Sequence, residues 1–358
     1  MSPNHPGNLR VWRDSSARLL VIAIIVVVFL LTAFLPANTN SLVSHPQPAT
    51  DYDAAVARAR QFQRGDSIAT ITGRSVLRVH GHRTSRAFVL FHGLTNSPYQ
   101  FRDLADSLYE AGENVFVPRL PWHALPGGTQ RDLARISAPA LAGVADTSVD
   151  IASGLGDTVV VFGLSLGGTM AAWVAQFRHV DRVVIAAPAL GVSHVAAALE
   201  TPLMNLGLRL PNYAHDDPPD PLRPDRMPGW CSRGIAQMMA LGLAARRGAS
   251  EGAPRTSAIR MLVNAHDETV NRTLIDDLVA SWQAKGASVE TYELSDTLRL
   301  PHDVVDPTER GAKPSVTEPV IVALLYGRVD APAISRSVYL LRQERLATPP
   351  ATPPLARH

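Results

Sequence analysis

Val159-Val160-Val161-Phe162-Gly163-Leu164-Ser165-Leu166-Gly167-Gly168 is the stretch that decides the fold. A run of β-branched and aromatic residues stops at a Gly-x-Ser-x-Gly pattern, and a small-residue stretch suited to a helix, residues 169–175, follows. Strand, tight turn and helix are the context a nucleophile elbow requires. The turn holds its serine at a strained backbone angle, so the neighbouring residues must lack side chains. Gly163 and Gly167 meet that need, and Gly168 lets the helix approach the sheet closely. Ser165 is then expected at the carboxyl edge of a parallel sheet, over a helix N-terminus that favours negative charge.

A serine hydroxyl is a poor nucleophile until a base takes its proton, and the base needs a third group to orient it. Downstream, residues 258–265 read as a buried strand that ends in the acidic turn His266-Asp267-Glu268-Thr269-Val270. A helix, 272–285, and a strand, 288–294, follow, and then the loop Pro301-His302-Asp303-Val304-Val305. The order Ser, Asp, His and these placements make Asp267 the candidate acid and His302 the candidate base. Glu268 and Asp296 compete for the role of the acid. Upstream, Arg86-Ala87-Phe88-Val89-Leu90-Phe91 is a buried strand opening into His92-Gly93-Leu94-Thr95-Asn96-Ser97-Pro98. Backbone N–H groups of Leu94 and of Leu166, the residue after the serine, are the expected oxyanion donors. For His92 a structural role bracing this loop is expected.

Over roughly residues 75–327 the chain resembles the α/β-hydrolase superfamily, and within it the bacterial carboxylesterase and monoacylglycerol-lipase group. The resemblance rests on His92-Gly93-Leu94-Thr95-Asn96-Ser97-Pro98, Gly163-Leu164-Ser165-Leu166-Gly167-Gly168 and His266-Asp267-Glu268-Thr269-Val270. It implies an α/β-hydrolase fold, with a mostly parallel central sheet flanked by helices and a small helical cap. It also implies serine-dependent hydrolysis of small to medium acyl esters, with no cofactor. One departure stands out. Where the family often has a Gly-His-Gly turn after its fourth strand, this chain has Pro118-Arg119-Leu120-Pro121-Trp122-His123-Ala124, so a different backbone path is expected there. A thioesterase or serine aminopeptidase on the same three residues, or a non-catalytic membrane-tethered binding protein of the same fold, remain open readings, because specificity lies outside them.

Residues 19–35 form an apolar run of 17 with one polar member, Thr32. As a helix it spans about 26 Å, close to a hydrocarbon core. Arg10, Arg13 and Arg18 precede it against one acid, Asp14, a bias that favours an N-terminus in the cytoplasm and the rest outside. The run is long for a signal peptide and lacks a good small-x-small cleavage site, so an uncleaved N-terminal transmembrane helix is expected, with secretion after signal cleavage as the alternative. The expected organisation is therefore residues 1–18 as a cytoplasmic N-terminus and 19–35 as an anchor. Residues 36–66 follow as a linker and short helix, 67–345 as the hydrolase domain with a cap at about 189–256, and 346–358 as a disordered tail.

Composition sets limits. In 358 residues the net charge is +2 and no dense Lys/Arg block appears, which gives no case for nucleic acid. The single cysteine, Cys231, cannot form an internal disulfide. His215-Asp216-Asp217 lies among Pro211, Pro218, Pro219 and Pro221 and reads as a solvated loop rather than a metal site. In the cap, 195–208 and 235–246 read as helices, and Met204, Leu206, Met238, Met239 and Leu241 are candidates to line an acyl pocket, since flexible Met side chains adapt to varied chains.

Overall fold

The computed structural model describes residues 8–35, 37–218, 220, 223–328 and 338–341. In chain order the elements are α1 (Asn8–Phe34), α2 (Tyr52–Arg64), β1 (Val76–Arg78), β2 (Thr84–Phe91), α3 (Arg102–Glu110), β3 (Asn114–Val117), α4 (Ala138–Leu155), β4 (Gly156–Leu164) and α5 (Leu166–Phe177). There follow β5 (Arg182–Ala186), α6 (Ala197–Arg209), β6 (Ala214–Asp216), β7 (Gly229–Cys231), α7 (Ser232–Glu251), β8 (Ala258–Asn264), α8 (Arg272–Ala284), β9 (Val289–Leu294), α9 (Pro314–Tyr326) and β10 (Val338–Leu341). The expected disordered tail lies outside the described residues.

The main sheet has the order β1-β3-β2-β4-β5-β8-β9-β10. Its six central strands are parallel; β1 and β10 pair antiparallel at the two edges. Central strands covered on both faces need apolar side chains at nearly every position. Residues Ala87 to Phe91 of β2 and Val160 to Phe162 of β4 meet that requirement, each at most 1% exposed. Helices α4, α5 and α8 cover one face; α3 and α9 cover the other and are joined by Ser107 donating to Glu318.

The chain winds outward from β2 to β3, then returns to the other side of β2 to lay down β4 and continues the opposite way. The order therefore reverses between β2 and β4. In an open α/β sheet that reversal leaves a crevice at the carboxyl ends of the strands. The loop at Gly93 and the turn at Ser165 both sit there.

Of the stretch expected as a cap, α6 and the ribbon β6–β7 lie over this crevice, but α7 belongs largely to the body. It packs along α5 and touches α4 and α8. Small residues make this possible: a Cβ on Gly242 would stand 3.0 Å from Leu190, and one on Gly248 would stand 2.8 Å from Gln176. The loop expected at His215-Asp216 is half of the ribbon, with His215 opposite Trp230.

The segment read as a linker is not a free one. Trp173 donates its indole N–H to Leu42 O at 2.8 Å, and Arg247 donates to Ala37 O at 2.9 Å. The backbone N–H of His45 donates to Asp146 at 2.8 Å and that of Gln47 to Asp150 at 3.0 Å. Both carboxylates are already paired with Arg178, at 2.7 and 2.6 Å, beneath the surface. A buried ion pair needs its remaining lone pairs filled, and the segment supplies those donors. Proline and polar composition, which suggest a mobile linker, here describe a strap.

Candidate active site

Three glycines shape the turn after β4. A Cβ on Gly163 would fall 1.9 Å from Gly167 O, one on Gly167 would fall 1.7 Å from Phe91 O, and one on Gly168 would fall 2.6 Å from Ala186 O. Helix, β2 and β5 thus approach to backbone contact around Ser165. Ser165 itself has φ 61° and ψ −116°, a conformation costly for any residue with a side chain and held only where the surroundings enforce it. Its N–H donates to Ala186 O at 3.1 Å and its carbonyl accepts from Thr169 N and Ala189 N, which provides that enforcement.

Across the crevice, Asp267 follows β8 and His302 lies on the loop after β9. The His302 Nδ1 to Asp267 Oδ2 distance is 2.7 Å. Asp267 Oδ1 accepts from Thr269 N at 2.8 Å, which fixes the carboxylate plane. Burial pulls the Asp267 carboxyl up, but the hydrogen bond and charge of His302 with the nearby N–H groups outweigh it and leave the carboxyl below its ordinary value. For His302 burial acts downward, and the opposing hydrogen bond and charge of Asp267, with Asp303 and Glu309, leave the imidazole above its ordinary value. Its Nε2 is buried without a protein partner, and His302 lines the same cavity as Ser165. The competing acids are elsewhere: Asp296 binds His266 Nδ1 at 2.9 Å, and Glu268 is exposed.

Leu94 lines the same cavity as Ser165, and Leu166 follows Ser165 in the chain. Neither N–H has a protein acceptor among the described residues, and Leu166 opens α5, where the first N–H groups have no partner inside the helix. The Leu94 loop is braced from behind by two fully buried imidazoles, His92 and His123, with ring centroids 4.9 Å apart. Leu120 N–H donates to His92 Nε2 at 3.1 Å, so Nδ1 carries the proton that faces Gly93 O at 2.9 Å. His123 Nε2 faces Leu94 O at 2.7 Å. The unusual turn that carries His123 takes positive φ at Trp122 (68°) and Ala124 (54°), and no residue of that turn lines the cavity.

The sequence gives little sign of a second polar layer beneath the loop. Asp303, next to His302, accepts from Asn96 at 2.9 Å and Gln100 at 2.7 Å; Gln100 in turn accepts from Gly93 N–H at 2.9 Å. Burial, working against these donors, holds the Asp303 carboxyl above its ordinary value. Arg223, 1% exposed, binds Asn96 at 2.7 Å, Asp225 at 2.8 Å and Asp306. Ser97 donates to Asp225, and Met227 N–H to Thr95 O at 2.8 Å. These bonds join the oxyanion-loop candidate, the His302 loop and the cap segment into one unit. The only local hint is the alternation of Arg and Asp at 223–226 in a proline-rich stretch.

Above Ser165 lies a cavity of about 850 Å³. Its walls are mostly apolar: Leu203, Met204 and Leu206 from α6, and Ile235, Met238 and Met239 from the first turns of α7. Of the candidates for that lining, Leu241 is instead fully buried in the core. Near the rim, Arg226 and Glu309 form an ion pair at 2.8 Å.

Such a sheet, with a strained serine at its topological reversal and an Asp–His pair on the loops after β8 and β9, defines a class, and residues 88–348 match the model of the alpha/beta hydrolase family. The chain belongs to that family. It is similar to a thermostable monoacylglycerol lipase of Bacillus sp. (strain H-257), 29% identical over 147 residues, or 38% of this chain. The match spans about half, 52%, of that relative's length. A structure of the metagenome-derived lipolytic enzymes LipS and LipT aligns over 72% of this chain and 98% of its own, with TM-score 0.51 and 18% identity. A monoacylglycerol lipase from Paleococcus ferrophilus aligns over 70% of this chain and 98% of its own, with TM-score 0.50 and 18% identity. At that identity these two structures speak to the fold.

Proposed function

We propose that the protein is a membrane-anchored serine esterase that hydrolyses carboxylic esters through an acyl-serine intermediate. One observation carries this reading: the 2.7 Å Asp267–His302 bond leaves a buried, unpartnered Nε2 on a side chain that lines the same cavity as Ser165. Ser165 Oγ attacks the ester carbonyl carbon while its proton passes to His302 Nε2. The carbonyl electron pair moves onto oxygen, which the N–H groups of Leu94 and Leu166 receive. Collapse of that oxyanion breaks the bond to the leaving alkoxide, which takes the proton from Nε2. Water then repeats the cycle on the acyl-serine, giving the carboxylic acid and free Ser165. Asp267 keeps the imidazole oriented and stabilises its cationic form. The apolar walls suit an acyl chain, in keeping with the lipase among the relatives.

The anchor part of the reading rests on α1, whose stretch Ala17–Phe34 is 18 residues long with mean hydropathy 2.8. The arginines before it favour a catalytic domain outside the cytoplasmic membrane.

The test is a panel of p-nitrophenyl esters of rising chain length, run beside thioester and peptide substrates, with a fluorophosphonate probe. Wild-type protein is expected to turn over esters and to be labelled at Ser165. Ser165→Ala is expected to lose both, with turnover down at least about a thousandfold. Retention of a tenth of wild-type turnover refutes the nucleophile, and preference for thioester or peptide redirects the substrate class.

A further inference from the structure

The anchor and the cavity are not independent parts. Helix α1 leaves its apolar stretch bare, with 6% of it buried, and a helix apolar on all sides needs a hydrocarbon surround. Its carboxyl end, by contrast, is fastened. The last carbonyls of a helix have no partner within it. Here Asn205 donates to Ala33 O at 2.8 Å, and Arg209 donates to Thr32 O at 3.0 Å and Leu35 O at 3.1 Å. Asn205 and Arg209 both lie on α6, four residues apart. A cation at that end also opposes the negative end of the helix dipole.

No slack follows. Ala37 O and Thr39 are held by Arg247 and Leu42 O by Trp173. A flexible tether lets a domain wander by several ångströms per square root of residue. This one fixes α6 at the point where the span leaves the bilayer.

A different side of α6 carries Leu199, Leu203 and Leu206, and Leu210 follows at its C-terminal cap, at spacings of four, three and four residues. At about 100° per residue they form a single stripe, a little over a quarter turn from the Asn205–Arg209 side. Leu199, Leu203 and Leu210 are 56%, 41% and 43% exposed. Leu203, Leu206 and Leu210 are also cavity-lining residues. The same stripe is thus the lip of the cavity and an uncovered apolar edge beside the span, with Tyr213 exposed just beyond. A large uncovered apolar edge marks an interaction surface, and Tyr is a residue favoured at headgroup level.

We propose that the docked end of α1 seats the Leu199–Leu210 stripe in the bilayer interface, so that the cavity takes an ester already dissolved in the membrane rather than one from the aqueous phase. The inference rests on the proposed ester hydrolysis and on insertion of α1. Its occupant is the lipid bilayer, because the stripe is continuous with a helix of bilayer length whose end it flanks. The acyl chain then passes from lipid past Leu203 and Leu210 into the cavity without crossing water.

The experiment uses the full chain in phosphatidylcholine vesicles. In Leu199→Cys the introduced thiol is labelled with an environment-sensitive fluorophore, Cys231 being fully buried. Reconstitution is expected to shift the emission to the blue, with quenching by lipids bearing a nitroxide at the headgroup. An unchanged spectrum in vesicles that hold the protein overturns the proposal. In the double variant Asn205→Ala, Arg209→Ala, hydrolysis of a long-chain ester dissolved in the vesicles is expected to fall about tenfold or more as orientation is lost. Hydrolysis of a water-soluble short-chain ester and vesicle association are expected to stay within about twofold of wild type on the same argument. Equal loss on both substrates, or loss on neither, overturns it. If wild type cleaves no ester at all, the function proposed above fails, while the position-199 signal still decides the docking.

Discussion

The strap between α1 and α2 makes truncation a quantitative test. Consider two shortened proteins, one beginning at Ala37 and one beginning at Asp51. Both lack α1, so their difference isolates residues 37–50. The shorter protein loses the donors from Ser44 and His45 to Asp146, from Gln47 to Asp150 and from Ala49 to Asp150 O. It also loses the acceptor at Leu42 for the buried Trp173 indole, and the burial of Leu42, which is 3% exposed. Net hydrogen bonds are each worth about 1 kcal/mol, more to a charged group. The Leu42 side chain adds about 2 kcal/mol. Water reaching the freed carboxylates and the chain entropy that ordering the segment costs return part of this, leaving a difference of about 5 kcal/mol. For a domain of this size about 2 °C is lost per kcal/mol, so the midpoint falls by about 10 °C. The assay is thermal unfolding of both proteins by circular dichroism at one scan rate. Midpoints within about 2 °C of each other refute the reasoning and return the segment to the status of a linker.

Two further outcomes concern the chemistry. Asp267→Asn is expected to cut kcat about 10³- to 10⁴-fold by presenting the wrong imidazole tautomer, whereas Glu268→Gln and Asp296→Asn stay close to wild type in the same ester assay. The pH profile of kcat/KM is expected to rise on a limb above pH 6.5, since the base must be neutral and the surroundings of His302 hold its proton more tightly than usual. A limb below 6.5 contradicts that environment.

Much of the centre of the fold is legible in the sequence because its constraints are local. Gly163, Gly167 and Gly168 are dictated by contacts within ten residues or with the adjoining strands, and the buried strands around them are short unbroken apolar runs. Asp267 and His302 stand out as candidates by their places after strands, and the fold brings them together. What is not legible depends on partners far along the chain. Residues 38–50 have no periodicity, and the carboxylates that hold them lie about a hundred residues away. Asp303, Asn96, Gln100 and Arg223 look like loop polars until the fold buries them together. Helix α7 reads as cap by position, and only its stripe of small residues shows that it can press against α5.

The paired imidazoles under the Leu94 loop and the imidazole of His302 titrate on opposite sides of 6.5. Burial, foremost, holds His92 well below 6.5 and pushes His123 down to about 4. A base with a depressed folded pKa lends full stability above its unfolded value, and loses it as the unfolded chain takes up protons below. That window runs from the ordinary 6.5 down to about 4 for His123. His302 lies on the other side, its titration raised above 6.5. On mild acidification the His302 imidazole charges first, and on the proposed mechanism turnover falls before the buried pair costs the fold any stability. Below 6.5 the unfolded chain takes up protons that the buried pair refuses, so the fold loses stability progressively, and only deeper acid charges the pair itself. On the proposed mechanism, a brief acid exposure is expected to pause turnover and spare the fold, with activity returning as the proton leaves His302.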